Sequence, residues 1–203
     1  MGDDWMSNDG VNNGRRRFLV AATSVVGAAG VVGVAVPFVG SWFPSARAKA
    51  AGAPVRVNIS KIEPGQQVVA EWRGQPIFIS RRTPEALALL DEMDSVLADP
   101  ESTSADQPEY IEGKARSIKP EVLVVLGICT HLGCSPLFKP QVGAVDMGAD
   151  WKGGYFCPCH GSFYDMSGRV FRNNPAPKNL PVPPHSYESE DVIVIGIDQE
   201  ETA

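Results

Sequence analysis

Apolar and polar positions divide the 203-residue chain into three regimes. Residues 1–14 are polar and rich in glycine and asparagine, a composition that predicts disorder because it has nothing to bury. From Phe18 to Phe43, in FLVAATSVVGAAGVVGVAVPFVGSWF, nearly every side chain is apolar or small, and no charge stands between Arg17 and Arg47. A helix crossing a hydrocarbon core needs about 20 such residues. Residues 18–43 are therefore expected to span a bilayer, with Trp42 and Phe43 at an interface. Residues 44–54, PSARAKAAGAP, carry no hydrophobic period and read as a tether.

From Val55 onward the pattern shortens to that of β-strands. VRVNI, QQVVAEW and PIFIS are rich in β-branched and aromatic residues and are separated by the turn signals EPG and RGQ. TPEALALLDEMDSVLA, Thr83–Ala98, has an N-cap threonine, proline at the first helical position and leucines at helical spacing, which predicts one helix. A polar loop follows, then strand character in VLVVLGI (Val122–Ile128) and again in DVIVIGI (Asp191–Ile197). The expectation is an all-β head, residues 55–203, with a helix-loop insertion, behind one N-terminal transmembrane helix.

Charge and composition narrow the function. A net charge of −6 leaves no basic face for phosphates, so nucleic acid is not an expected partner. Arg15, Arg16 and Arg17 precede the apolar run in GRRRFLV, a twin-arginine pattern, and favour a cytoplasmic N-terminus. Ala46, Ala48 and Ala50 resemble a cleavage site, but the apolar run is far longer than the roughly 7–15 residues of a secretory signal. An uncleaved anchor is the better reading, with the head exported to a compartment that permits disulfides.

The chemistry is concentrated in two stretches, CTHLGC (Cys129–Cys134) and CPCHGSFYD (Cys157–Asp165). They hold all four cysteines and two of the three histidines. Zinc favours four ligands at C-x₂₋₄-C or H-x₃₋₅-H spacings, and six candidates for four places would leave two unexplained. A c-type haem needs C-x-x-C-H, and CPCH has one residue between its cysteines. C-x-H together with C-x-x-H instead supplies two thiolates and two imidazoles, the ligand set of a Rieske-type [2Fe–2S] cluster, with the thiolates on one iron and the imidazoles on the other. Cys134 and Cys159 are then left over, one in each loop, and in an oxidising compartment they can pair. Gly133, Pro158 and Gly161 suit tight turns around inorganic sulfur. His185, in VPPHSYE, matches no ligand spacing and is expected at the surface.

CTHLGC and CPCHGS, behind a twin arginine and an anchor and before an NPAP turn, resemble the Rieske iron–sulfur subunits of bacterial cytochrome bc1 complexes. The resemblance implies a Rieske-type antiparallel β-sandwich head with a cluster-binding subdomain at about residues 128–180. It implies one [2Fe–2S] cluster held by Cys129 and Cys157 on the inner iron and His131 and His160 on the outer, and a Cys134–Cys159 disulfide. Ser162 and Tyr164 stand where the family places hydrogen-bond donors to the cluster sulfurs. Leu132 would shield the cluster, and His160, ahead of His131, would contact quinol and accept its proton. Implied partners are cytochrome b, cytochrome c1, quinol (ubiquinol) and the lipid bilayer, in a dimeric complex of the bacterial inner membrane with the head on the periplasmic side. The tether would let the head move between its redox partners. Rivals are the Rieske subunit of another exported oxidoreductase, such as arsenite oxidase, and a structural zinc domain. Three departures from the family pattern stand out. Asn174 occupies the place of a glycine before Pro175-Ala176-Pro177, in a turn that favours positive φ; Phe163 stands where histidine is common; and the stretch Phe138–Tyr155 is long.

Overall fold

The computed structural model describes Gly10 and residues 12–198. It divides into an N-terminal unit, residues 1–49, and a head, residues 50–203. The expected disorder of the first residues lies outside the described residues up to position 9 and at position 11. At Asn12 the first helix begins, and the Asn12 side chain caps it by accepting the N–H of Arg15 at 3.1 Å. Helix α1 runs Asn13–Gly40, 28 residues, starting earlier and stopping sooner than the apolar run. At 1.5 Å per residue it is about 42 Å long. By length and composition it can cross a membrane, and none of its residues is buried. Trp42 and Phe43 lie beyond its end, exposed. A short helix, α2, occupies Ala46–Ala51 within the stretch read as a tether.

The head is mainly β, built from three antiparallel three-stranded sheets. The strands are β1 Val55–Asn58, β2 Gln67–Trp72, β3 Gln75–Arg81, β4 Val122–Leu126, β5 Leu137–Lys139, β6 Gly154–Cys157, β7 Ser162–Tyr164, β8 His185–Ser189 and β9 Val192–Ile195. They are ordered β1-β9-β8, β2-β3-β4 and β5-β6-β7. The central sheet decides the architecture. Its strands alternate, as a pleat requires: Ile77, Ile79, Val122 and Val124 face an aliphatic core shared with Ile193 and Ile195 of the first sheet. Phe78, Leu123 and Val125 face the opposite way, into a second core that contains Cys129, Cys157, Tyr155 and Tyr164. β3 and β4 are thus buried on both faces, and the register Phe78↔Val125, Ile79↔Val124 keeps the two sets in step.

The single helix expected over Thr83–Ala98 is two elements, α3 at Pro84–Ala88 and a 3₁₀ helix at Asp91–Val96. Thr83 caps α3 through Ala86 N–H. The α-pattern then gives way to bonds between residues three apart, Leu90 N–H to Leu87 O at 3.2 Å and Glu92 N–H to Leu89 O at 3.1 Å, and the Leu90 carbonyl accepts Arg169 Nη2 at 2.8 Å. Leu90 and Met93 are both buried, and a 3₁₀ turn aligns side chains three apart. The buried side of this segment was legible; the helix type was not.

Candidate metal centre

Strand β4 runs into CTHLGC, and the hairpin β6–β7 carries CPCHGS at its tip. The first loop is closed by its own backbone: Cys129 N–H donates to Cys134 O at 2.7 Å and Gly133 N–H to Cys129 O at 3.0 Å. The second closes through Gly161 N–H to Cys157 O at 2.9 Å. Gly133 and Gly161 have φ of 85° and 75°, the left-handed region in which a Cβ is costly. The Cys134–Cys159 disulfide joins the two loops.

That bond leaves Cys129 and Cys157 as free thiols, both buried. The His131 and His160 rings stand edge to face with centroids 4.7 Å apart. His160 is exposed, with Leu132 beside His131 in sequence and 71% exposed. The sulfurs of Cys134, Cys157 and Cys159 lie within 4.8 Å of one another. They are not a ligand set, because two of them are bonded to each other and only Cys157 can offer a thiolate.

The electrostatics treat the two free thiols differently. Burial works to push the Cys129 thiol up, but hydrogen bonds from Tyr164, the His131 backbone, Cys157 and Ser162 outweigh it and hold Cys129 below the ordinary value. Burial and the hydrogen bond to Cys129 push Cys157 up. The first thiolate therefore forms on Cys129, with the Tyr164 hydroxyl donating to its Sγ at 3.2 Å. Burial, then the bond to Cys129, also push the Tyr164 phenol up, so it stays a donor.

His131 Nδ1 is buried and has no hydrogen-bond partner among the described residues. A buried ring nitrogen left unsatisfied is costly, and it is the kind of atom a metal would occupy. With two buried thiols, two adjacent imidazoles and this orphaned nitrogen, the residues present fit a [2Fe–2S] cluster.

Several contributors were not legible. The Pro175-Ala176-Pro177 segment has one backbone N–H, on Ala176, and it donates to Ser162 Oγ at 3.1 Å. That leaves the buried Ser162 hydroxyl hydrogen free to point elsewhere. Thr130 N–H reaches Tyr164 Oη at 3.2 Å, and Thr130 Oγ1 donates to Lys178 O at 2.7 Å. Positive φ, which asparagine tolerates, falls on Asn173, at 58°, and not on Asn174. Asn174 instead accepts Phe163 N–H through its side chain at 3.2 Å, bracing the strand after the second loop. Phe163 belongs to an aromatic layer with Phe156, Trp151 and Phe171, with centroids 5.1–6.1 Å away. The long stretch after β5 supplies Trp151, which folds back and donates Nε1–H to Lys139 O at 2.9 Å.

His185 was expected at the surface and is 1% exposed. Its Nδ1 meets Pro183 O at 2.8 Å, its backbone N–H donates to Tyr110 Oη, and burial lowers its pKa. Two prolines before it turn the chain so that the imidazole packs inward; a motif search weighs only ligand spacing and cannot see this.

Comparison with known proteins adds sequence relationships to this geometry. The family described as "Rieske [2Fe-2S] domain" matches residues 54–184, and "Ubiquitinol-cytochrome C reductase Fe-S subunit TAT signal" matches residues 5–45. The ubiquinol-cytochrome c reductase iron-sulfur subunit of Allochromatium vinosum is 56% identical over 194 residues, covering 96% of this chain and 94% of the relative. Its counterpart from Blastochloris viridis is 46% identical over 191 residues, covering 94% and 97%. A chain of a hyperthermophilic respiratory Complex III superposes with a TM-score of 0.46 at 26% identity, covering 86% of this chain and 98% of that one.

Proposed function

The chain belongs to the Rieske family of ubiquinol–cytochrome c reductase iron–sulfur subunits, and on that premise we propose that it is the electron-transfer subunit of such a complex, taking one electron from quinol and passing it to cytochrome c1. The observation that carries this reading is the joining, at one exposed tip, of two buried free thiols and two adjacent imidazoles under a disulfide. Cys129 and Cys157 would hold one iron and His131 and His160 the other. When bound, the cluster supplies one-electron chemistry.

The protein's own residues do the rest. His160, exposed, offers quinol an imidazole whose outer nitrogen can accept the proton released on oxidation, with His131 second to it. Leu132 gives the tip an apolar shoulder for a quinone-sized ring. Tyr164 donates to the Cys129 sulfur, and Ser162, anchored by Ala176 N–H, is free to donate into the site. Such donors favour added negative charge. The potential is accordingly expected at the upper end of the range of roughly −150 to +300 mV for this cluster type.

The head would work beside cytochrome b and cytochrome c1 in a dimeric complex, with ubiquinol as donor. α1 would anchor it in the bilayer of the bacterial inner membrane, N-terminus cytoplasmic and head periplasmic; Arg15–Arg17 at the start of α1 support that orientation.

Electron paramagnetic resonance of dithionite-reduced membranes, followed by mild-detergent purification, tests the proposal. A Rieske signal co-purifying with b- and c-type haem is expected, and Cys157→Ser should abolish the signal. A silent spectrum with zinc in the purified protein would move the chain to a zinc domain, and a Rieske signal that purifies without b- and c-type haem would move it to another exported oxidoreductase.

A further inference from the structure

The head buries three guanidiniums, of Arg82, Arg116 and Arg169, at 1%, 0% and 0% exposure. All three converge on the turn Asp165–Arg169 that follows β7. Arg169 is neutralised: its Nε lies 2.7 Å from Asp165 Oδ2, the partner carboxylate being equally buried, and Nη1 reaches Asp94 at 3.5 Å. The other two are different. Arg82 donates to Ala115 O, Met166 O, Ser167 Oγ and Ser117 Oγ, at 2.6–3.3 Å, and its Nε has no partner among the described residues. Arg116 donates to Gln107 Oε1, Ser167 O, Gly168 O and Leu180 O, at 2.7–3.3 Å. Every acceptor is neutral. Among the described residues neither guanidinium forms an ion pair with a carboxylate.

Burying a charge without a direct ion pair is costly even though the field of Asp165 reaches both arginines, and a neutral or apolar side chain would avoid that cost. Arg116 carries a second penalty, a backbone φ of 50° that only glycine and a few polar residues adopt readily. Two such features in one small head suggest a charge kept for a purpose. The neighbourhood supplies one. The turn that both arginines hold begins one residue after Tyr164, the donor to Cys129 Sγ. Leu180, whose carbonyl receives Arg116, packs in the same core as Cys129 and Cys157. With two thiolates and two neutral imidazoles, a [2Fe–2S] cluster goes from neutral when oxidised to one net negative charge when reduced.

We propose that Arg82 and Arg116 are built-in counter-charges for the reduced cluster, raising its potential from behind, through the protein interior, while Tyr164 and Ser162 act by direct hydrogen bonds. They touch no substrate and no ligand; they tune by field. Both remain cations at neutral pH, since burial lowers each only to about 10.

The inference rests on the cluster assigned above, whose presence the wild-type resonance signal establishes separately. The test is a resonance-monitored redox titration of the full-length, membrane-bound protein in pairs of variants. Arg116→Gln and Arg82→Gln should each lower the ratio of reduced to oxidised cluster, at the wild-type midpoint, by about three- to tenfold, the scale of one charge across a protein interior. The g-values should stay unchanged. Arg116→Lys and Arg82→Lys keep the charge while losing part of the hydrogen-bond fork, and should stay within about twofold of wild type. Glutamine variants with a wild-type midpoint overturn the proposal, and so do lysine variants that fall as far as glutamine, because the role is then structural. Should the glutamine variants lack the cluster, Asp165→Asn decides: removing that negative charge must raise the reduced fraction, and an unchanged or lowered fraction overturns the idea.

Discussion

The two faces of β3 and β4 differ in kind. On one side Ile77, Ile79, Val122 and Val124 meet Ile59, Ile193 and Ile195 in a core held by apolar burial. On the other, Phe78, Leu123 and Val125 meet Tyr155, Tyr164, Cys129 and Cys157. Here the polar atoms are buried too, and each needs a direction as well as a volume. Tyr155 Oη lies 3.0 Å from Ser80 Oγ, while its ring stacks on Phe78 at 5.8 Å. Burial, partly offset by the bond to Ser80, pushes the Tyr155 phenol up to about 12, so it stays neutral. The aliphatic side can lose a methyl group and settle. The site side cannot lose a hydroxyl without leaving a donor or acceptor unpaired. One sheet thus separates an apolar core from one whose buried polar atoms must each be paired.

Three changes bear on that contrast. The largest effect is expected from Ile79→Ala, at a residue with 0% exposure in the aliphatic core. It should cost about 2–5 kcal/mol of stability, read by denaturant titration of the full chain in detergent, and leave the midpoint potential where it was. A shift in potential would mean that the two faces are mechanically coupled. Next, Tyr164→Phe removes one hydrogen bond to Cys129 Sγ. Its worth of about 1–1.5 kcal/mol should lower the reduced-to-oxidised ratio roughly tenfold at the wild-type midpoint, with a loss of stability limited to that of the Thr130 N–H left without its acceptor. A lost melting temperature with an unmoved potential would make the site side another packing core.

The smallest effect concerns His185, packed between the first sheet and Tyr110. Burial depresses its folded pKa, with Pro183 O and Asp198 pulling the other way. The unfolded chain therefore takes up the proton first as pH falls below about 6.5. The contribution of His185 is full above that pH and is lost as pH falls toward the folded pKa, with a slope of at most about 1.4 kcal/mol per pH unit. His185→Gln should flatten stability against pH between roughly 7 and 5. An unchanged slope would show that the imidazole stays neutral or solvated in both states.

Legibility in the sequence followed the range of the interaction that decides each feature. The strands β1 to β4 and β9 announce themselves by β-branched alternation, and the Trp72–Gln75 turn by Arg73-Gly74, both at positive φ. β5, β6 and β7 are three or four residues each and carry cysteines and aromatics in place of a period; only pairing makes them strands. β8 reads as polar and shifts register at Tyr187/Ser189, so no window of sequence marks it. In the site, the two cysteine–histidine stretches stood out because metal ligation needs particular atoms at short spacing. Asn174 stood out only as a departure from the family pattern, and the roles of Asn174, Ala176 and Trp151 did not show, because each acts through one contact to a residue distant in sequence.

By itself, then, the sequence determined the apolar anchor, the β character of the head and the identity of the thiols and imidazoles. These follow from local hydrophobicity, local backbone preference and side-chain chemistry. Only the tertiary structure decided that the Leu90 carbonyl goes to Arg169, and that His185 turns inward. It alone left Arg82 and Arg116, among the described residues, without an ion pair beside the cysteine core. These outcomes depend on which groups meet across the fold, where one buried donor or charge outweighs the preference of the segment that carries it.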